Sequence, residues 1–119
     1  MKYSDLIVWK LGMRIAKMVY TELIPYLPNV EKYGLADQMR RSAVSIPSNI
    51  AEGHARDTTK EYIKFLNYAK GSVAELQTQI LLCVEIGYLN NDQIKTVMAD
   101  TNEISSKLNN LILYLKEKL

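Results

Sequence analysis

The sequence predicts an all-α fold, a single up-down-up-down antiparallel four-helix bundle with a proline-kinked second helix, formed as one domain over residues 1–119. Three observations carry this. Apolar residues recur at spacings of three and four through four stretches, about residues 5–24, 35–53, 59–86 and 91–118, and no stretch alternates with the period of two that a strand requires. The breaks between them are short and hold helix-stopping residues: Pro25, Pro28 and Gly34, then Gly53, then Gly87. Short connections between long helices make consecutive helices antiparallel neighbours.

The first helix is capped by Ser4 or Asp5 and ends at Pro25. Lys10, Arg14, Lys17 and Thr21 share a narrow polar stripe, and nearly every other position is apolar. Leu6, Trp9, Met13, Ala16, Tyr20 and Leu23 supply the stripe a bundle helix needs for its core. Ile7, Val8, Leu11, Ile15, Met18 and Val19 are then surplus, and a surplus apolar face predicts an interface with a neighbouring subunit. Pro25 to Gly34 is a loop, with Tyr26, Leu27 and Tyr33 folded back on the bundle end.

The second helix divides cleanly on a wheel. Leu35, Ala36, Met39, Ala43, Val44, Ile46, Pro47, Ile50 and Ala51 fill the apolar half, with Arg40 the one charge among them. The polar half is unusual in its small residues, Ser42, Ser45, Ser48 and Asn49, where a solvated face normally carries Glu and Lys. Pro47 removes one backbone hydrogen bond and predicts a kink. Gly53 suits a C-terminal cap.

Thr58 followed by Glu61 is a capping box that starts the third helix. Its seam reads Tyr62, Leu66, Ala69, Val73, Leu76, Ile80, then Cys83 or Val84. Gly71 and Ala74 lie off the seam, open to close approach by another helix, and Gly87 caps the end. Asn90 or Asn91 caps the fourth helix, whose stripe is Ile94, Val97, Thr101, Ile104, Leu108, Leu111 and Leu115. Lys116 and Lys118 favour the negative end of its dipole.

Composition narrows the function classes. Fifteen Lys and Arg against thirteen Asp and Glu give a net charge of +2, well below the footprint of a dedicated nucleic-acid binder. No uncharged run approaches the ~20 residues of a membrane span, and Met1 to Trp9 lacks a signal peptide's apolar core. A lone Cys83 allows no internal disulfide, so a cytoplasmic protein is expected. On the third-helix seam that cysteine acts as a small buried hydrophobe. His54 stands alone in a turn with no paired nucleophile, and one His with one Cys builds no zinc site. Glu61 and Glu75 are about 21 Å apart along a helix, too far for a catalytic carboxylate pair. Arg40 or Arg41 is the simplest partner for Glu52 within a structural polar network. With no phosphate loop or nucleotide motif, no cofactor or metal is expected and the chain reads as non-enzymatic.

Two rows of cations can meet phosphates: Lys10, Arg14 and Lys17 on the first helix, and Arg56, Lys60 and Lys64 leading into the third, with Arg41 nearby.

Three runs are more specific than any bundle pattern: YSDLIVWK at residues 3–10, YGLADQMRRSAVSIPSNIAEG at 33–53 and KEYIKFLNYAKGSVAEL at 60–76. Through them the chain resembles the 23S rRNA-intervening-sequence proteins, a family similar to the accessory protein of diversity-generating retroelements. The resemblance implies a small bacterial four-helix bundle assembling as a homopentamer, with no established catalytic residues; it is the retroelement relatives that engage nucleic acid and a reverse transcriptase through basic surface. Its recurrent polar positions map onto Arg40, Arg41, Ser45, Asn49, Glu52, Arg56, Glu61, Ser72 and Glu75. Two functions follow, different in kind. One is an oligomeric accessory protein on RNA or DNA backbone; the other is an oligomeric scaffold that binds a protein partner through the small polar face of the second helix.

Overall fold

Four helices, α1 (Ile7–Met18), α2 (Leu35–His54), α3 (Thr59–Ile86) and α4 (Asn91–Lys116), dominate the computed structural model, which describes residues 1–119. Each packs on its neighbour in sequence, and α1 also meets α4, so α1 and α3 occupy opposite corners. At about 1.5 Å per residue α3 is about 42 Å long, which sets the 46 Å long axis of the molecule.

The helix starts follow local chemistry. Thr58 Oγ1 accepts the Glu61 N–H at 3.1 Å and opens α3. Asn90 and Gln93 exchange reciprocal bonds of 2.9 and 2.8 Å and open α4. Gly87 ends α3 at φ 96°, and the Tyr88 N–H reaches back to the Cys83 carbonyl at 2.8 Å. At α1 the expectation differs. Tyr3–Asp5 forms a separate 3₁₀ turn, Leu6 takes the N-cap position without a side-chain bond, and Asp5 instead accepts the Lys2 N–H at 3.2 Å. The α-helical hydrogen bonding of α1 stops at Met18 and gives way to a π-helical turn at Val19–Leu23 and a 3₁₀ turn at Ile24–Tyr26. Pro25 has no N–H to return to the Thr21 carbonyl, so regular winding cannot persist there.

Along α3 and α4 the buried residues match the predicted seams, with Ile112 rather than Leu111 completing α4 and Tyr62 only half-buried. The first helix is rotated by roughly a third of a turn from its expected setting. Val8, Leu11, Ile15, Met18 and Val19 are buried in the chain's own core, Ile15 and Val19 completely. Of the six residues expected at a subunit interface only Ile7 is exposed, while Met13 and Tyr20, expected inside, are nearly half exposed. The chemistry of the two stripes explains the choice. The buried one is aliphatic throughout, whereas Trp9 and Tyr20 carry polar tips that need water or a partner. In the loop, Leu27 packs inward but Tyr26 and Tyr33 point to solvent.

Two glycines set the helix spacing. Gly12 lies where α1 crosses α2, and a Cβ there would stand 3.3 Å from Ile46 Cγ2 and 3.4 Å from the Pro47 nitrogen. Pro47 is buried at this crossing, and α2 continues unbroken through it. Gly53 is not a cap, because α2 runs on to His54. It is buried against α3, where a Cβ would meet Phe65 Cβ at 2.7 Å and the Tyr62 carbonyl at 3.2 Å. Gly71, by contrast, faces open space.

Candidate functional site

Two of the small polar residues of α2, Ser42 and Ser45, meet α3, and Asn49 is bonded to Ser45. Ser42, 1% exposed, donates to Gln79 Oε1 at 2.7 Å. One turn on, the Ser45 and Ser72 hydroxyls are 2.7 Å apart, and Asn49 Nδ2 donates to both Ser45 Oγ and the Ser45 carbonyl at 2.8 Å. A polar seam inside a helix pair must satisfy its own donors and acceptors, and short hydroxyls do so without forcing the backbones apart. Much of the face named by the protein-scaffold reading is therefore used within the chain: Ser42 is buried, Ser45 and Asn49 are half-buried and Ser48 is exposed.

Of the polar network expected among Arg40, Arg41, Ser45, Asn49, Glu52, Glu61 and Glu75, Ser45 and Asn49 bond to each other, but neither Arg40 nor Arg41 pairs with Glu52. Arg40 Nη2 donates to the Lys32 carbonyl at 2.8 Å, tying α2 to the loop before it. Arg41 Nε pairs with Asp37 at 3.1 Å and Arg56 Nη2 with Glu52 at 3.0 Å, each one helical turn apart. Glu61 contributes its backbone N–H to the start of α3, and Glu75 faces solvent. Gln79 was not legible as a polar partner, although with Ser72, Leu76 and Cys83 it keeps the four-and-three spacing of a buried seam.

The seven candidate phosphate-binding cations fall into three places. Lys10 and Lys17 are exposed on α1 and unpaired. Arg14 between them stands 2.9 Å from Asp100 Oδ2 of α4, where the carboxylate is 14% exposed and the guanidinium 62%. That oxygen has no aligned hydrogen bond, so the contact is one of charge. Arg41 sits about 20 Å along α2 from the His54 end, where Arg56 follows, too far to join the second row. Arg56, Lys60 and Lys64 stay together where α2 passes into α3, diagonally across the bundle from the first row. Arg56 lies 4.5 Å over the Phe65 ring and Lys64 6.0 Å over Tyr68.

Cys83, Glu31, Tyr88 and His54 make contacts within the fold. Cys83 is fully buried, 3.6 Å from Met39 Sδ, and burial with the nearby Glu31 charge pushes its thiol up to about 11. Glu31 accepts from the Leu35 N–H at 3.1 Å and from Tyr88 Oη at 2.9 Å. These bonds hold its carboxyl below the usual range and raise Tyr88. His54 stacks edge-on with Tyr62, centroids 5.8 Å apart. No group of three or more His, Cys, Asp or Glu converges as a metal site, and no helix is long and apolar enough to cross a membrane.

On the outer side of α1 and α2, Tyr3, Trp9, Met13, Val44 and Ala51 line a groove of about 350 Å³. The rings of Tyr3 and Trp9 meet edge-on at 5.5 Å. This is the apolar surface the sequence has in surplus, on the side of α1 opposite to that expected.

The family model described as 23S rRNA-intervening sequence protein matches residues 4–110. Among solved structures, the chain is similar to a crystal structure of a protein of unknown function from the S23 ribosomal protein family of Bacteroides thetaiotaomicron. The two share 25% identity and a TM-score of 0.81, over 89% of this chain and 98% of that one. No curated protein matches.

Proposed function

The chain belongs to the 23S rRNA-intervening sequence protein family, and from that premise we propose that it is a non-enzymatic, self-associating accessory protein of the bacterial cytoplasm that holds the phosphate backbone of RNA or DNA. The observation that carries this reading is the alignment of unpaired lysines in rows: no lysine of the chain has an acid in ion-pair reach, and four of them line up on two helices. Lys60 and Lys64 lie one turn apart on α3 beside Arg56, and Lys10 and Lys17 lie two turns apart on α1. The four ammonium groups of these rows, on a chain of net charge +2, make weak contacts singly. Self-association into a ring, a homopentamer by the family resemblance, would repeat each row and multiply the effective concentration of phosphate contacts. The half-exposed Met13 and Tyr20 and the groove beside Tyr3 and Trp9 give the subunit contact its apolar surface.

The test is an anisotropy titration of a structured RNA and a duplex DNA at about 50 and about 200 mM salt, with the assembled mass measured by light scattering. Binding should weaken steeply with salt, and each pair reversal, Lys10→Glu with Lys17→Glu or Lys60→Glu with Lys64→Glu, should flatten the salt slope by about two contacts per subunit engaged. An assembled protein that binds neither nucleic acid at low salt overturns the reading.

A further inference from the structure

We propose that the corner where α2 passes into α3 takes single-stranded nucleic acid, stacking a base on Tyr68 while Lys60 and Lys64 hold the phosphates next to it along the strip; this rests on the nucleic-acid reading above and names its ligand. Lys60, Lys64, Tyr68 and Gly71 succeed one another at spacings of four, four and three, so they form one outward strip on α3. Tyr68 is 50% exposed. It is held edge-on by Phe65, centroids 5.5 Å apart at 82°, and that second ring is backed by the Arg56 guanidinium. Beyond Tyr68 the strip is bare, since nothing lies within 4 Å of the missing Gly71 side chain.

A fixed, half-exposed ring with an ammonium group above it and an empty step beside it matches a nucleotide in both halves. The base finds a π-face and the phosphate finds a cation. A duplex uses only the cations, because its bases already stack on one another and hide their faces. Glu75, one turn past Gly71 and exposed, repels phosphate and marks the end of the strip.

The experiment compares an oligo-uridine of about 12 nucleotides with a duplex RNA of equal length, using the full chain at one moderate salt concentration and monitoring assembled mass. The single strand should bind more tightly. Tyr68→Leu should weaken it about tenfold and leave duplex binding unchanged, whereas Tyr68→Trp, which keeps a stacking face, should retain or strengthen it. Lys60→Gln with Lys64→Gln should weaken both ligands alike. If Tyr68→Leu binds the single strand like the unaltered chain while the lysine variant weakens both, the stacking site is overturned and the phosphate reading stands. If Tyr68→Leu changes the assembled mass and loses both ligands together, Tyr68 belongs to a subunit contact and the proposal is overturned. If neither ligand binds at low salt, the parent reading fails and this one with it.

Discussion

Replacing Gly53 by Ala tests whether α2 and α3 are held together by backbone proximity. In an exposed helix interior the change from Gly to Ala stabilises by about 1 kcal/mol, because Ala loses less conformational entropy on folding. At Gly53 the added methyl would stand 2.7 Å from Phe65 Cβ and 3.2 Å from both Tyr62 Cδ1 and the Tyr62 carbonyl oxygen. Carbon pairs rest at about 3.5–4.0 Å, so the closest contact is roughly 1 Å too short. Phe65 Cβ and the Tyr62 carbonyl are fixed to the α3 backbone and cannot rotate away, so the helix itself must shift. Overpacking of that kind costs about 1–3 kcal/mol, and with backbone as the obstacle the upper end applies, leaving a net loss of about 2 kcal/mol. Gly71→Ala is the matched control, since it is helical, exposed and has nothing within 4 Å; it should gain about 0.5–1 kcal/mol. Urea unfolding followed by helical circular dichroism should therefore separate the two variants by about 3 kcal/mol at unchanged m-value. Equal stabilisation by both would refute the close contact, and with it the claim that small residues set the α2–α3 distance.

Three further outcomes follow from the geometry. Ser42→Ala should cost about 1–3 kcal/mol by leaving the buried Gln79 side chain unpaired, and adding Gln79→Leu should recover most of it in a double-mutant cycle. Ile15→Ala should cost about 2–5 kcal/mol, whereas Ile7→Ala should stay within about 0.5 kcal/mol, because Ile15 is fully buried and Ile7 is 68% exposed; the reverse order in thermal unfolding would restore the rejected setting of α1. The Glu31 carboxyl is held below its usual range by the Leu35 N–H and then Tyr88. Its contribution is therefore present above the unfolded-state carboxylate range and lost as pH falls through the lower, folded value. Glu31→Gln should be less stable than the unaltered chain at neutral pH, with the difference shrinking in acid; a constant difference in urea midpoints from pH 7 to pH 3 would show that this carboxylate is not linked to folding.

What the linear chain determined are the properties carried within a few turns of one helix. The periods of Leu66 to Ile80 and of Ile94 to Leu108, the stop at Gly87 and the starts at Thr58 and Asn90 are local, and each appears in the fold where the residues put it. The pairs Asp37–Arg41 and Glu52–Arg56 also lie within one turn, so their spacing was open to reading even though the sequence led to Glu52 being matched with Arg40 or Arg41. The family resemblance was legible in the runs 3–10, 33–53 and 60–76, and the family match over 4–110 contains nearly all of them. Tertiary packing decided whatever depends on which side of a helix a neighbour occupies. The first helix is apolar almost all round, so periodicity offers it two stripes; the choice fell to the aliphatic side of Ile15 and Val19, which buries no polar atom, with Gly12 admitting Pro47. Ser42 and Ser45 read equally as an open face or a helix contact until Gln79 and Ser72 arrive from α3, and Arg14 reads as a free cation until α4 brings Asp100 to 2.9 Å. Those partners lie tens of residues away in sequence, and only the closed bundle brings them within hydrogen-bond and ion-pair range.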